Sequence, residues 1–197
     1  MNAEDRIRIG LIVGLGLAIA VAAWHRRQGV RSGERLNRRE EGLIVLVALR
    51  LFGLSLWGGT LAYVIEPEWM WWSELPLPHW VRRMGAVSGI LSMGLLYWTF
   101  RHLGKNLTDT VVTRAKHTLV TTGPYRWVRH PFYGAVALVV VSAFLLTANW
   151  FIALLGVGVL VLLVIRTRKE EQKLIERFGG EYRSYMERTG RFVPRGE

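Results

Sequence analysis

The fold is decided by residues 131–165, PFYGAVALVVVSAFLLTANWFIALLGVGVLVLLVI, a run of thirty-five residues without a charge. A helix needs about 20 apolar residues to cross a bilayer core of about 30 Å, so this run is too long for one upright span. It fits two short helices joined by a turn at residues 147–150. Because a hairpin returns both ends to one face of the membrane, we expect His130 and Glu170, which flank it, to meet at an interface. Ionisable groups held there commonly mark a site.

Three more apolar segments precede the hairpin, at about residues 7–24, 42–65 and 81–100, and the hairpin arms occupy about 131–146 and 150–165. In lipid a helix satisfies its own backbone hydrogen bonds, so the pattern predicts an all-α integral membrane protein with five transmembrane helices. We interpret the first segment as a membrane helix or signal anchor, because no cleavage site follows it. One membrane domain, 1–197, is expected, with three spans in residues 1–101 and the other two in residues 102–197.

The chain after Ile165 is polar and helical in pattern. Residues 170–178 predict an amphipathic helix with an apolar face, ended by Gly179 and Gly180. Residues 181–188 predict a second short helix. We expect both helices on the cytoplasmic side of the membrane.

Charge sets the predicted topology. The formal net charge is +11, and Lys and Arg concentrate in residues 25–41, in residues 101–129 and after Ile165, whereas the loop 66–80 has three Glu and neither Lys nor Arg. Positive loops stay in the cytoplasm, which places the N-terminus outside a cell inner membrane and the C-terminus and active site inside. Arg82 and Arg83, at the outer end of the third span, go against this pattern.

Composition also excludes several classes of function. The basic residues cluster beside apolar spans, so we expect membrane lipids rather than nucleic acid as their partners. Cysteine is absent, which excludes disulfides, thiolate zinc sites and cysteine nucleophiles. His102, His117 and His130 have no further ligand at helical spacing beside them, so no metal is predicted.

Two motif blocks carry groups suited to chemistry. The first is HTLVTTGPYRWVRHPFYG, residues 117–134, and the second joins RTRKEE, 166–171, to FGGEYRSY, 178–185. Pro131 fits the first turn of a helix, whose free N–H groups suit a carboxylate, and Tyr125 and Tyr133 offer faces for an aromatic base or a cation. Glu170 can accept an ammonium, and Arg166 can pair with a carboxylate. Together these groups would hold an amino acid zwitterion, an aromatic base and a second anion.

The order of these motifs around a hairpin resembles the integral-membrane isoprenylcysteine carboxyl methyltransferase family, whose broader relatives methylate phospholipid amines. The resemblance covers roughly residues 102–195 and implies that residues 102–197 form the cofactor-binding catalytic half. It implies S-adenosylmethionine as cofactor and a lipophilic substrate from the bilayer. It also implies that Glu170 binds the methionine amino group and that Arg166 orients a substrate carboxylate. The other implied cofactor-binding residues are His117, Thr118, Leu119, Val120, Tyr125, His130, Pro131, Phe132 and Tyr133.

The residues leave the methyl acceptor open between a carboxylate, an amine and a thiol. A carboxylate is already ionised near pH 7 and needs alignment rather than a general base. An amine must lose a proton, and His130 or Glu171 would then act as the base. Arg50, inside the second span, either extends to the interface or faces the cavity as a substrate-binding residue. A membrane scaffold without catalysis is the alternative of another class, and the oligomeric state is open.

Overall fold

The computed structural model describes residues 4–14, 16, 43–103 and 118–195, whose regular structure is helical apart from two isolated β-bridges. The helices are α1 (residues 4–14), α2 (Leu43–Ile65), α3 (His79–Leu103), α4 (Pro131–Thr147), α5 (Trp150–Phe178) and α6 (Gly180–Arg188). Short 3-10 helices occupy Pro67–Ser73 and Gly123–Arg126. The second half of the first predicted span and the basic loop after it lie outside the described residues.

The predicted helical hairpin is present as α4 and α5. Ala148 adopts a left-handed conformation, with φ 49°, and ends α4. The Asn149 side chain then caps α5 by accepting hydrogen bonds from the backbone N–H groups of Phe151 (3.1 Å) and Ile152 (3.2 Å). Asparagine is among the preferred N-cap residues, so the turn sequence itself specifies where the second arm begins.

The C-terminal part of α5 differs from the expectation. The prediction of a separate amphipathic helix over residues 170–178 is wrong, because α5 runs unbroken for 29 residues to Phe178. Nothing between Ile165 and Glu170 disfavours a helix, since the change there is one of polarity and not of backbone preference. Gly179, with φ 54°, ends the helix, and α6 follows as the predicted second short helix. One rigid element therefore carries the hairpin arm and Glu170 together.

Two helices among the described residues are long and apolar enough to cross a membrane, Ile44–Ile65 and Trp150–Phe178. Helix α4 is apolar but shorter, with 17 residues. Helix α3 has 25 residues and carries Arg82, Arg83 and Arg101. Length and composition thus support two of the five predicted spans, and the count of five stays a prediction.

Helix α4 packs closely against α3 and α5 through small residues. Ser92 donates a hydrogen bond to the Ala135 carbonyl (3.1 Å) and Ser88 donates one to the Leu138 carbonyl (2.9 Å). A Cβ on Gly156 of α5 would lie 2.3 Å from Cγ1 of Val140. Small residues allow such close approach between helices in lipid, which fixes the position of the hairpin relative to α3.

Arg82, which runs against the predicted charge topology, is buried. Its guanidinium donates to the Leu146 carbonyl at the end of α4 (3.0 and 2.8 Å), to Glu4 of α1 (3.0 Å to Oε2) and to the Tyr63 hydroxyl (2.7 Å). Burying a charge is costly unless it is paired and hydrogen-bonded, and here both conditions are met. Arg82 therefore joins four helices, and its charge is compensated within the bundle.

Candidate active site

The two ends of the hairpin meet at a cluster of polar side chains. His130 immediately precedes α4, Glu170 lies on α5, and His130 Nδ1 is 3.6 Å from Glu170 Oε2. Tyr133, in the first turn of α4, donates a hydrogen bond to the same carboxylate oxygen (2.8 Å). Arg166, one turn before Glu170, places Nε 3.0 Å from Glu170 Oε1. The expected proximity of His130 and Glu170 is confirmed, because the hairpin brings residues forty positions apart to one end.

Aromatic rings form one wall of this cluster. The His130 ring stacks on Tyr133, with centroids 5.4 Å apart and an interplanar angle of 9°. The ring centroid of Phe192, from the C-terminal segment, is 5.9 Å from that of His130 and 6.4 Å from that of Tyr133. These rings lie beside Glu170, whose side chain is 19% exposed. A flat apolar surface next to an accessible carboxylate suits a ligand that carries both an aromatic ring and a cation.

Glu171 faces a different set of partners. Arg129 Nε donates to Glu171 Oε1 (2.8 Å), the Arg191 guanidinium donates to the same carboxylate, and His130 Nε2 lies 3.4 Å from Oε1. Glu171 lies beyond Ile165, where the apolar run ends. Burial alone would raise its pKa, but the close contacts with His130, Arg191 and Arg129 outweigh burial and lower the pKa to about 2.

The role of Glu171 as a general base for an amine substrate stays a prediction. A general base works best with a pKa near the working pH, so the lowered pKa of Glu171 disfavours this role. Its side chain is also only 5% exposed. Through Arg129, His130 and Arg191, Glu171 connects α5 to the start of α4 and to the C-terminal segment.

The C-terminal segment is joined to the loop before α4 by backbone hydrogen bonds. Gly190 N–H donates to the Trp127 carbonyl (3.1 Å), Arg129 N–H to the Gly190 carbonyl (2.9 Å) and His130 N–H to the Arg191 carbonyl (3.1 Å). A Cβ on Gly190 would lie 1.7 Å from the Val193 carbonyl oxygen, so only glycine fits this turn. Arg191 and Phe192 therefore reach the cluster, although neither was expected there.

The other sequence candidates divide into three groups. Pro131 is buried at the start of α4, and Phe132 packs on Phe100 of α3 (5.8 Å between centroids) as well as beside Tyr133. Tyr125 accepts a hydrogen bond on its carbonyl from the Tyr185 hydroxyl (2.6 Å), and burial raises the pKa of its phenol. The remaining loop candidates are Thr118, which is exposed, and Leu119 and Val120, which are half-buried. Their cofactor-binding role stays a prediction, and His117 lies outside the described residues.

Arg50 lies exposed on α2. The preceding residue, Leu49, packs beside the buried group formed by Tyr133, Val159 and Leu163. Helix α2 is therefore adjacent to the site, and a substrate-binding role for Arg50 stays a prediction. Within residues 4–14, 16, 43–103 and 118–195, no three His, Asp or Glu side chains are grouped so as to hold a metal ion.

Comparison with known proteins now adds to this geometry. Residues 86–176 match the model of the isoprenylcysteine carboxyl methyltransferase (ICMT) family. This part of the chain, a little under half of its length, is therefore similar to that family. The matched residues include His130, Glu170 and Glu171 but end before Arg191 and Phe192.

Two curated relatives illustrate the range of the similarity. Protein-S-isoprenylcysteine O-methyltransferase of Rattus norvegicus is 29% identical over 144 residues, which cover 64% of this chain and 46% of the relative. The uncharacterized protein YpbQ of Bacillus subtilis is 27% identical over 168 residues, which cover 84% of this chain and 93% of the relative. The chain therefore spans about half the length of the mammalian ICMT proteins that it matches.

A solved structure shows the same fold. The structure of the eukaryotic intramembrane Ras methyltransferase ICMT is similar with a TM-score of 0.55 at 23% identity, over 74% of this chain and 51% of that one. The two long apolar helices and the similarity to the ICMT family together support a membrane location for this chain.

Proposed function

We propose that this chain is a membrane-embedded methyltransferase that transfers a methyl group from S-adenosylmethionine to a carboxylate on a lipophilic molecule. The activity would be most like that of a protein-S-isoprenylcysteine O-methyltransferase. The observation that carries the proposal is the convergence of His130, Tyr133, Arg166 and Glu170 at one end of the hairpin. The similarity to the ICMT family supports the transfer of a methyl group in general.

The chemistry of these side chains fits S-adenosylmethionine. Glu170 would accept the ammonium of the methionine moiety, and the stacked rings of His130 and Tyr133 would lie against the adenine or the sulfonium. The N-terminus of α4 suits the methionine carboxylate. The cofactor supplies a methyl group that is already activated on a sulfonium, so the protein residues need only bind, orient and exclude water.

Two observations favour a carboxylate over an amine as the acceptor. Arg166 lies beside Glu170 and is the right cation to orient an anionic substrate. Glu171, one of two candidate bases for an amine, has a pKa of about 2. A carboxylate needs no base, because it is ionised near neutral pH. The lipophilic part of the substrate would lie along the apolar helices, within the bilayer.

We further propose the five-span topology, with the N-terminus outside and the C-terminus and site in the cytoplasm. The internal compensation of Arg82 by Glu4 supports this topology, since a neutralised arginine no longer counts against it. The cytoplasmic location agrees with where S-adenosylmethionine is made available to an enzyme of this class.

The test is methyl transfer by the purified chain in detergent or vesicles, with S-adenosylmethionine labelled in its methyl group. The acceptors compared are an S-prenylated cysteine with a free carboxylate and a phospholipid with a primary amine. A labelled product that base hydrolyses supports a carboxyl ester. A base-stable N-methyl product would replace the proposal with an amine methyltransferase. Folded protein that binds no cofactor in calorimetry would favour a scaffold.

Replacement of Arg166 by alanine tests the substrate side of the site. We expect Arg166→Ala to raise the KM of the carboxylate substrate about tenfold or more, the usual effect of losing a charge-assisted hydrogen bond, and to change the cofactor KM less. Arg168→Ala is the matched control, because Arg168 is exposed on the same helix. Steady-state kinetics with each substrate varied in turn measures both constants. An equal rise in both would place Arg166 among the cofactor-binding residues instead.

A further inference from the structure

The segment that follows α6, residues 189–193, forms a C-terminal clasp over the start of α4. Its backbone pairs with residues 127–130 through the three hydrogen bonds described above. Arg129 adds a second connection, since its guanidinium donates to the Met186 carbonyl (3.2 Å) and to the Thr189 carbonyl. The segment lies beyond residue 176, so the family match assigns it no role.

The clasp places two side chains on the groups that surround Glu170. Arg191 is held by Glu171, and this contact fixes the register of the clasp against α5. The next residue, Phe192, lies against the face formed by His130 and Tyr133. Both of these residues approach the Glu170 carboxylate, Tyr133 by a hydrogen bond of 2.8 Å and His130 at 3.6 Å. The clasp therefore lies against both of the residues that approach Glu170.

We propose that Phe192 is a positioning residue for the cofactor-binding site, with Arg191 as its anchor. The ring of Phe192 holds the His130–Tyr133 stack in the orientation that presents Glu170 to an ammonium. This inference rests on the proposed function and extends it to residues that lie beyond the family-model match. Phe192 is half-buried at the site, unlike the fully enclosed residues of the helical bundle.

The experiment measures binding of S-adenosylhomocysteine, the demethylated cofactor, by calorimetry on the full chain in detergent. We expect Phe192→Ala to weaken binding about threefold to tenfold, the range set by loss of an aromatic contact. Phe192→Tyr, which keeps the ring, should restore the wild-type affinity. Val193→Ala is the control, because the neighbouring Val193 is 72% exposed and should change the affinity less than about twofold. The KM of the lipophilic acceptor should stay within about twofold in all variants, since the proposed role of Phe192 is to position groups that bind the cofactor.

The outcomes separate this inference from the proposed function. If the wild type binds S-adenosylhomocysteine and Phe192→Ala binds equally well at an unchanged Tm, the positioning role is wrong and the proposed function stands. If the folded wild type does not bind it, both fail. If Phe192→Ala does not fold, Phe192→Leu takes its place, because it keeps apolar bulk without a ring. It must then bind more weakly than Phe192→Tyr.

Discussion

Glu170→Ala should weaken S-adenosylmethionine binding by about tenfold to a hundredfold, because the cofactor ammonium would lose the carboxylate that we propose as its partner. The substitution also removes the hydrogen-bond acceptor of Tyr133 and the ion-pair partner of Arg166. Methyl transfer should fall at least in proportion. Calorimetry in detergent gives the affinity, and release of labelled methyl product gives the rate.

Two variants make this result specific. Glu176→Ala removes a carboxylate that is exposed on the same helix, and it should leave both quantities unchanged within about twofold. Glu170→Gln keeps an oxygen for the Tyr133 hydroxyl but removes the charge, so it should behave like Glu170→Ala toward the cofactor. Wild-type affinity in Glu170→Gln would show that the ammonium binds elsewhere.

Glu171→Ala should affect stability more than any other single change at the site. Arg129 and Glu171 are 10% and 5% exposed, and removal of one partner from a buried ion pair typically costs about 3 to 5 kcal/mol. The variant also releases Arg191 and with it the C-terminal clasp. Thermal unfolding in detergent should show a lower Tm than the wild type and than Glu176→Ala. An unchanged Tm would mean that the clasp contributes little to the folded state.

The same carboxylate predicts a loss of stability in acid. The ordinary pKa of a Glu is 4.5 and that of Glu171 in the folded protein is about 2. A lowered folded-state pKa gives a stabilisation that is complete above the unfolded value and is lost as the pH falls toward the folded value. The Tm should therefore decline between about pH 4.5 and pH 2. Glu171→Gln should lack this component, so the difference in Tm between wild type and variant should shrink across that window. A constant difference would contradict the assignment.

The sequence predicted the hairpin and the meeting of His130 with Glu170 because both follow from local signals. An uncharged run of known length sets the number of passes through a bilayer, and Asn149 marks where the second arm begins. The sequence predicted a helix boundary after Ile165, because a change from apolar to charged residues resembles the end of a helix. No residue before Gly179 disfavours a helical backbone, and α5 continues to Phe178.

The clasp could not be predicted from the sequence. Arg191 and Phe192 reach the site through backbone pairing between residues 127–130 and 189–191, which are about sixty positions apart. Such pairing leaves no periodic pattern in either segment. Arg129 was visible beside His130, but its role depends on the same long-range pairing. The ion pair between Arg82 and Glu4 could not be predicted either, because Glu4 lies on another helix.

Helix α5 runs without a break from the apolar hairpin to the carboxylates of the site. Gly158 lies in the apolar half of α5, and Glu171 lies at the site. The two residues are 13 positions apart, which is about 20 Å along the helix axis. Over this length, a change of about 5° in the tilt of the helix would displace the carboxylates by nearly 2 Å. Hydrogen-bond geometry does not tolerate such a shift. Packing against neighbouring helices sets the tilt of a helix, so the close approach of Gly156 to Val140 on α4 and of Gly158 to Phe52 on α2 helps to hold the carboxylates in position.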